Sequence, residues 1–104
     1  MGYVNKKDAL MNLSNPKDFD VFKNRFLKTY KDAVEKIVFI KNNQEELYNY
    51  ISGINNISLN VGSQILFNDT KDILEKIKRG EVSPQDFDDL YITIRNIYQE
   101  LELL

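Results

Sequence analysis

Apolar residues recur at intervals of three and four along most of the chain, which is the period of an amphipathic helix. The clearest pattern lies in residues 68–104, where two helical stretches are joined by a short turn. In the second stretch the apolar residues fall on one side of a helix of about five turns, so the pattern predicts that this side is buried. The residues on it are Phe87, Leu90, Tyr91, Ile94, Ile97, Tyr98 and Leu101.

The turn of this helical hairpin carries strong boundary signals. A first helix is predicted over residues 70–79, and its basic last turn followed by Gly80 is typical of a helix C-terminus. Ser83 is a favourable N-cap for the second helix, and Pro84 suits the first helical position. The negative charge of Asp86 is favourable near a helix N-terminus. Both helix ends are therefore predicted from local residues alone.

Two helices are predicted before residue 42. A short one lies within residues 4–13. A longer one is expected to begin after Asn15 and Pro16 and to run without a break to about Lys41. Its apolar stripe comprises Phe19, Phe22, Phe26, Tyr30, Ala33 and Ile37, with Leu27, Val34 and Val38 beside it.

Another helix is predicted to begin at Asn43, whose side chain could cap it. We expect it to continue through Gly53 and Gly62 to about Phe67. Each interior glycine costs on the order of 1 kcal/mol relative to alanine, and an end near Leu59 is the alternative. The stripe of this helix comprises Leu47, Ile51, Ile54, Ser58, Val61 and Ile65.

These patterns predict an all-α protein with a single domain over residues 1–104. Asn68 or Asp69 is expected to cap the helix over residues 70–79, so every connection between the predicted helices is short. Short links between long amphipathic helices favour antiparallel neighbours. The predicted fold is an antiparallel up-down four-helix bundle with a short extra N-terminal helix.

The composition of the chain mainly excludes several kinds of catalytic and metal-binding site. The sequence contains no histidine and no cysteine, which removes Ser-His-Asp triads, thiolate chemistry, disulfides and cysteine-ligated metals. Asp86, Asp88 and Asp89 could hold a hard cation through oxygen ligands, but a favourable first helical turn on a solvated face is their more ordinary role. We therefore expect no enzymatic activity, no cofactor and no metal site.

The net charge of −2 is unevenly distributed along the chain. Residues 1–41 carry nine Lys or Arg and five Asp or Glu, a balance of +4, whereas residues 42–104 carry five and eleven, a balance of −6. The turn between the last two helices has a suitable length for a DNA-binding helix-turn-helix. The second helix of that pair is acidic, however, and would bring carboxylates to the phosphates, which argues against nucleic acid as the partner.

The final predicted helix has a second face that could bind a partner. On a helical wheel Ile92 and Leu103 fall opposite the buried stripe, and polar residues surround them. Singly exposed apolar residues are common, which is the simpler interpretation. An apolar pair with a polar rim also indicates a helix-face interaction site. The predicted partner-binding residues are Asp88, Ile92, Arg95, Asn96, Gln99 and Leu103.

The first ten residues carry Lys6, Lys7 and Asp8 with no apolar run behind them, so neither a secretory signal nor a membrane span is predicted. The absence of cysteine fits a reducing compartment. We therefore expect a cytoplasmic protein, most simply a monomer.

Two stretches of the chain carry a family resemblance. They read ISGINNISLNVGSQI, residues 51–65, and DILEKIKRGEVSPQDFDDLYITIRNIY, residues 72–98. Both are similar to the immunity proteins of pediocin-like (class IIa) bacteriocins, of the enterocin A immunity type. The resemblance implies a cytosolic antiparallel four-helix bundle that protects a bacterium from a small membrane-permeabilising peptide.

The same resemblance implies a partner. Proteins of this family are thought to act from inside the cell at the mannose-type sugar phosphotransferase permease that the bacteriocin uses as its receptor. The implied partner is that permease with bound bacteriocin. The C-terminal part of such proteins carries specificity for the cognate toxin. By region, this points to the final helix, with Asp88, Ile92, Arg95, Asn96 and Gln99.

A second hypothesis comes from a different class of protein. The chain could be a small acidic helical regulator or inhibitor of phage or plasmid origin that binds another protein or mimics nucleic acid. Neighbouring genes would distinguish the two hypotheses. A bacteriocin precursor or transporter gene favours immunity, and a phage lysogeny or structural block favours the regulator.

Overall fold

Six α-helices build the fold of residues 2–104, the part of the chain that the computed structural model describes. This range contains no strand, so the predicted all-α class is confirmed. The short helix α1 lies within residues 4–13, where it was predicted. The helices are α1 Lys6–Met11, α2 Asp18–Thr29, α3 Ala33–Ile40, α4 Gln44–Ser58, α5 Gln64–Arg79 and α6 Pro84–Glu102, with a 3-10 turn at Leu59–Val61 after α4.

The prediction of one continuous helix over residues 15–41 is wrong, because two helices occupy this stretch. α2 ends at Thr29 and α3 begins at Ala33. Between them Tyr30 and Asp32 have φ angles of −109° and −110°, with ψ angles of 19° and 34° that are not helical. Neither glycine nor proline lies at the bend, and the apolar stripe continues through it. The local sign of the break is weak: Asp32 is followed three residues later by Glu35, as at many helix starts, but the Asp32 side chain makes no capping hydrogen bond.

Tertiary packing around Tyr30 accounts for the bend. The buried ring of Tyr30 packs against Phe26 and Tyr50, with centroid separations of 5.1 and 5.7 Å. Its hydroxyl lies 3.0 Å from the position that a Cβ on Gly53 would take, so this glycine within α4 makes room for the ring. The bend lets α2 pack on the 3-10 turn and α6 while α3 packs on α4 and α6. Val38, predicted beside the buried stripe, is consequently 49% exposed.

The prediction of one helix over residues 44–67 is also wrong. Gly62 follows the 3-10 turn with a φ of +82°, in the left-handed region. Ser63 then caps α5, because its Oγ accepts a hydrogen bond from Leu66 N at 3.1 Å. A left-handed glycine followed by a serine cap ends one helix and begins another, and this signal outweighs the apolar stripe. Ile65, which the stripe placed in the core, is exposed.

Two predicted caps have different outcomes. α5 begins at Gln64, so Asn68 and Asp69 lie inside it and do not cap it. The cap at the start of α4 is confirmed, since Asn43 Oδ1 accepts a hydrogen bond from Glu46 N at 3.1 Å. The error at α5 follows directly from the missed boundary at the preceding glycine.

The start of α6 was predicted correctly. Ser83 Oγ accepts from Asp86 N at 3.2 Å, and the Asp86 carboxylate accepts from Ser83 N at 2.9 Å, which makes a reciprocal capping box. Lys76 of α5 donates to the same carboxylate, with Nζ 2.8 Å from Oδ1. Gly80 closes α5 with a φ of +68°. The turn between α5 and α6 is thus fixed by backbone caps and one ion pair.

Replacing Asp86 with asparagine is expected to lower stability at neutral pH. The hydrogen bond from Lys76 and those from Ser83 hold the pKa of Asp86 below its ordinary value of 3.8. The pKa of Asp86 is lower in the folded state than in the unfolded state. The ionised carboxylate therefore stabilises the fold above the ordinary pKa, and this contribution is lost as the pH falls through the folded-state pKa. In urea denaturation, the free energy of unfolding of the wild type should exceed that of Asp86→Asn by a constant amount between about pH 5 and pH 7. This difference should shrink below about pH 4. A gap that stays constant to the acid limit would contradict this.

One core draws buried side chains from every helix. Of the stripe predicted for α6, the four aliphatic residues are buried and the three aromatic residues are half-buried. The buried hydroxyls of Ser58 and Thr70 are satisfied by carbonyl oxygens one turn earlier, each at 2.7 Å. The largest fully buried apolar side chains are Phe19, Phe26, Ile37, Ile51, Ile54, Leu66, Leu90, Ile97 and Leu101.

Side-chain hydrogen bonds show how α4 and α5 pair. Gln44 Nε2, at the start of α4, donates to Ile77 O near the end of α5 at 2.9 Å. Asn55 Nδ2, later in α4, donates to Phe67 O near the start of α5 at 3.1 Å. The start of α4 is thus joined to the end of α5, and a later turn of α4 to the start of α5.

Residues 3–9, here called the N-terminal strap, cross from the 3-10 turn to the end of α6. Backbone N–H groups of the strap donate to the Glu100 carboxylate at 3.0–3.2 Å. The N–H of Asn5 donates to Gly62 O at 2.8 Å, and the side chain of Val4 is buried. The strap thereby ties the last turns of α6 to the turn between α4 and α5.

Candidate functional site

Three contacts fix α6 along the side that faces α5 and the strap. Near its start, Lys76 Nζ lies 2.8 Å from Asp86 Oδ1. In its middle, Thr93 Oγ1 donates to Asp69 Oδ2 at 2.9 Å. Near its end, Glu100 holds the strap. The side of α6 that faces away from the buried residues Leu90, Ile94 and Ile97 makes none of these contacts and is left to solvent.

The six residues predicted to bind a partner lie on that solvent side, here called the outer face of α6. Ile92 is 53% exposed, and Leu103, just beyond the last residue of α6, is 78% exposed. The amide Nδ2 of the half-buried Asn96 donates to Ile92 O at 2.8 Å. The outer face thus presents two apolar side chains with polar neighbours. It comprises Asp88, Ile92, Arg95, Asn96, Gln99 and Leu103.

Two openings between α3 and α6 run along one edge of the outer face. The first lies beside the start of α6 and has a volume of about 470 Å³, with Asp88 in its lining. The second lies beside the later turns and has a volume of about 230 Å³, with Arg95 and Gln99 in its lining. Half of the predicted residues therefore line a concave surface, and the other three line neither opening.

Sequence reasoning missed what α3 contributes to this region. Val38 lines the first opening, and Phe39 beside it is 85% exposed. Ala33, Ile37 and Ile40 face the core, so the two residues between the last two core positions must point elsewhere. Ile40 is the signal that could have shown this, since counting it as a core position turns Val38 and Phe39 outward.

Two of the three carboxylates near the start of α6, those of Asp86 and Asp89, are engaged in structural contacts. Asp86 accepts from Ser83 and Lys76, and Asp89 Oδ1 accepts from Gln85 Nε2 at 2.8 Å. Across residues 2–104, no group of three or more His, Cys, Asp or Glu side chains is arranged to hold a metal ion. The arrangement on the outer face suits binding through apolar contact and hydrogen bonds.

Replacing Asp69 with asparagine is expected to stabilise the protein at neutral pH. Burial raises the pKa of Asp69, and the charges of Asp89 and Asp72 add to this rise, while the hydrogen bond from Thr93 opposes it. Because the folded-state pKa is raised, the wild type loses stability as the pH rises from about 4 through that pKa. Asparagine can still accept the Thr93 hydrogen bond but carries no charge.

Urea denaturation at several pH values checks this prediction. The Asp69→Asn variant should be more stable than the wild type near pH 7, with the difference vanishing at about pH 3. Thr93→Val serves as a control, since it removes the hydroxyl and leaves the carboxylate charge in place. If the free energy of unfolding of Asp69→Asn does not exceed that of the wild type at neutral pH, burial of the Asp69 carboxylate does not destabilise the fold.

Comparison with known proteins gives no match: no family model, no curated protein and no solved structure matches the chain. None of the helices between residues 2 and 104 combines the length and the apolar character needed to cross a membrane. The outer face of α6 and the openings beside it are thus the features from which a function can be inferred.

Proposed function

We propose that the protein binds another protein through the outer face of α6 and has no enzymatic activity. The observation that carries this proposal is a division within one helix. Leu90, Ile94 and Ile97 are buried, whereas Ile92 on the other side is 53% exposed. Apolar side chains with a polar rim on one helix face are typical of helix-mediated recognition. Contacts with α5 and the strap hold this helix in place, so the face is presented by a fixed element.

We propose an antiparallel up-down four-helix bundle as the arrangement that presents this face. In it α2 and α3 together form one arm, bent at residues 30–32, and α4, α5 and α6 form the other three. The hydrogen bonds between α4 and α5 support opposite directions for that pair. The Lys76–Asp86 and Thr93–Asp69 contacts support the same for α5 and α6.

Among non-enzymatic proteins that bind another protein, we propose that this one is an immunity protein against a pediocin-like bacteriocin. It acts from the cytoplasmic side on the mannose-type sugar phosphotransferase permease that has bound the peptide. The family resemblance of residues 51–65 and 72–98 supports this proposal. So does the exposure of Ile92, on the C-terminal helix to which the resemblance assigns recognition, and of Leu103, which directly follows that helix.

Expression in a sensitive bacterial strain tests the proposed function. Cells producing the chain and cells carrying an empty vector are challenged with a panel of pediocin-like peptides. The proposal predicts that growth is protected against at least one peptide of the panel and only in the producing cells. Equal killing of both strains by every peptide would rule out immunity.

The acidic balance of residues 42–104 favours a second candidate function, a regulator or inhibitor that binds another protein. It would use the same outer face, because Asp88 and the neighbouring carboxylates of α6 can meet a basic partner. No protection in the challenge, together with a phage or plasmid gene neighbourhood, would favour this candidate.

A further inference from the structure

A third opening, here called the α2–α4 pocket, lies between α2, α4 and the 3-10 turn, and its volume is about 380 Å³. This volume lies in the range of about 300–1,000 Å³ that is usual for small-molecule sites. Phe22 and Ile57 give the pocket an apolar wall. The side chains in the lining that can form hydrogen bonds are Arg25, Thr29, Tyr30, Asn56 and Asn60.

The hydroxyl of Tyr30 is the best-positioned of these groups. Tyr30 is only 9% exposed, and its ring is held between Phe26 and Tyr50. The hydroxyl makes no hydrogen bond within residues 2–104 and is not sealed from solvent, so it opens into the pocket. Buried tyrosine hydroxyls usually have a partner. Burial raises the pKa of Tyr30, so at neutral pH this hydroxyl is a protonated donor without a protein acceptor.

Gly53 of α4 leaves the Tyr30 hydroxyl accessible. A Cβ at this position would lie 3.0 Å from the hydroxyl oxygen and would narrow the pocket. Tyr30 also lines the second opening beside α6, but Gly53 lines the α2–α4 pocket and not that opening. The hydroxyl, which lies beside Gly53, therefore belongs to the α2–α4 pocket.

The neutral polar side chains of the pocket are also without protein partners. On α4, the side chains of Asn55 and Ser58 lie outside the lining and donate hydrogen bonds to acceptors of the fold. The side chains of Thr29, Asn56 and Asn60, which line the pocket, make no hydrogen bond within the described part of the chain. Hydrogen-bonding capacity is thus left over on the sides of these helices that meet at the pocket.

The charge in the pocket is positive. Arg25 is the one charged residue of the lining, its Cζ lies 5.1 Å from the centroid of the Phe22 ring, and it joins no ion pair within residues 2–104. The two openings beside α6, in contrast, have carboxylates in their walls, from Asp88 in the first and from Glu35 and Glu102 in the second. The planar guanidinium matches a carboxylate through two parallel hydrogen bonds. A single cation with neutral donors suits a ligand with one negative charge.

We propose that the α2–α4 pocket binds a small organic carboxylate, which pairs with Arg25 and accepts a hydrogen bond from the Tyr30 hydroxyl. Thr29 and the two asparagine amides supply further hydrogen bonds, and the body of the ligand packs on Phe22 and Ile57. No residue of the outer face of α6 lines this pocket, so this site does not depend on the proposed function.

Amide NMR spectra of the full-length protein at pH 7 and constant ionic strength test the ligand class. Benzoate should give saturable shifts at the pocket residues with a Kd of about 1 mM, as suits so small a ligand. Benzamide has nearly the same shape without the charge and should bind at least tenfold more weakly. Inorganic phosphate, largely a dianion, should also bind more weakly than benzoate. Equal affinity for benzamide, tighter binding of phosphate, or shifts that do not saturate would overturn the proposal.

Two variants with matched controls test the residues. Tyr30→Phe removes the hydroxyl and keeps the ring, and it should weaken benzoate binding roughly tenfold, as for the loss of one hydrogen bond to a charged group. Tyr50→Phe removes a hydroxyl outside the lining and should bind like the wild type. Arg25→Gln should weaken binding at least tenfold, whereas Arg79→Gln, at an exposed position on α5, should not. Unchanged affinity in Tyr30→Phe or Arg25→Gln would overturn the site.

Urea denaturation without ligand separates a binding role of the hydroxyl from a structural one. The Tyr30 hydroxyl has no partner in the protein, so Tyr30→Phe should be at least as stable as the wild type. A lower free energy of unfolding in Tyr30→Phe would show that the hydroxyl is bonded within the fold and would overturn its assignment as a ligand donor.

Discussion

Replacing Gly62 with alanine should destabilise the protein by about 4 kcal/mol, far more than the same change at Gly80. Both glycines have positive φ angles, +82° and +68°, so alanine is strained at either position. A Cβ on Gly80 meets nothing within 4 Å, whereas a Cβ on Gly62 would lie 2.2 Å from Asn5 O. That oxygen belongs to backbone, and the strap must move to relieve the contact.

The expected magnitude follows from what the strap loses. Left-handed backbone costs a residue with a Cβ about 1–2 kcal/mol, and this is the whole loss expected for Gly80→Ala. Gly62→Ala adds the hydrogen bond from Asn5 N to Gly62 O and the burial of Val4, worth about 1 and about 2 kcal/mol. For a chain of this length, the larger loss corresponds to a fall in Tm of roughly 20 °C. Equal Tm values for the two variants in thermal denaturation would show that the strap does not press on Gly62.

Of two aspartate substitutions on α6, one should unfold the protein and the other should leave it folded. Ile94 is 2% exposed, and a carboxylate there would be buried without a partner, at a cost comparable with the total stability of a small domain, about 5–15 kcal/mol. Ile94→Asp should therefore unfold the protein. Ile92 is 53% exposed, and Ile92→Asp adds only the repulsion from Asp88 and Asp89 one turn earlier, about 0.5 kcal/mol.

Circular dichroism and the bacteriocin challenge separate these outcomes. Ile92→Asp should keep the helical spectrum and a cooperative thermal transition while losing protection against the bacteriocin, because a charge replaces the apolar centre of the outer face. Ile92→Val is the matched conservative variant and should protect like the wild type. Loss of helical signal in Ile92→Asp would place Ile92 in the core and remove the outer face as a binding surface.

The end of α5, the turn after it and the start of α6 could be predicted because their signals are local. Gly80, Ser83 and Pro84 mark helix ends through their own backbone preferences, and the α6 stripe needs only the helical period to be recognised. The exposure of Ile92 and Leu103 follows from the same wheel. These features depend little on where the other helices lie.

The two wrong boundaries have different physical causes. At Tyr30 no residue disfavours helix strongly, and the bend exists because the ring packs on Phe26 and Tyr50, a tertiary contact that periodicity does not contain. At Gly62 the local signal was present, since a serine cap follows the glycine, but the stripe through Ile65 argued against it. Of the two signals, the local one was correct.

The candidate site could be predicted only in part, because the pattern of a single helix does not contain the contacts between helices. The outer face lies on a single helix, so the wheel of α6 was sufficient to find it. The first opening beside α6 is formed by parts of four helices and the turn after α5, including Val38, which had been predicted beside the core stripe. Its position depends on the bend before α3, which the sequence pattern did not reveal.

Photocrosslinking in living cells tests the central claim most directly. A benzoylphenylalanine placed at position 92 is compared with one at Lys71, an exposed position on α5, in sensitive cells challenged with a peptide of the panel for which protection is observed. The outer-face account predicts a covalent adduct with the permease from position 92, dependent on the peptide, and none from position 71. Adducts with the permease from position 71 as abundant as from position 92, or none from position 92 in protected cells, would contradict it.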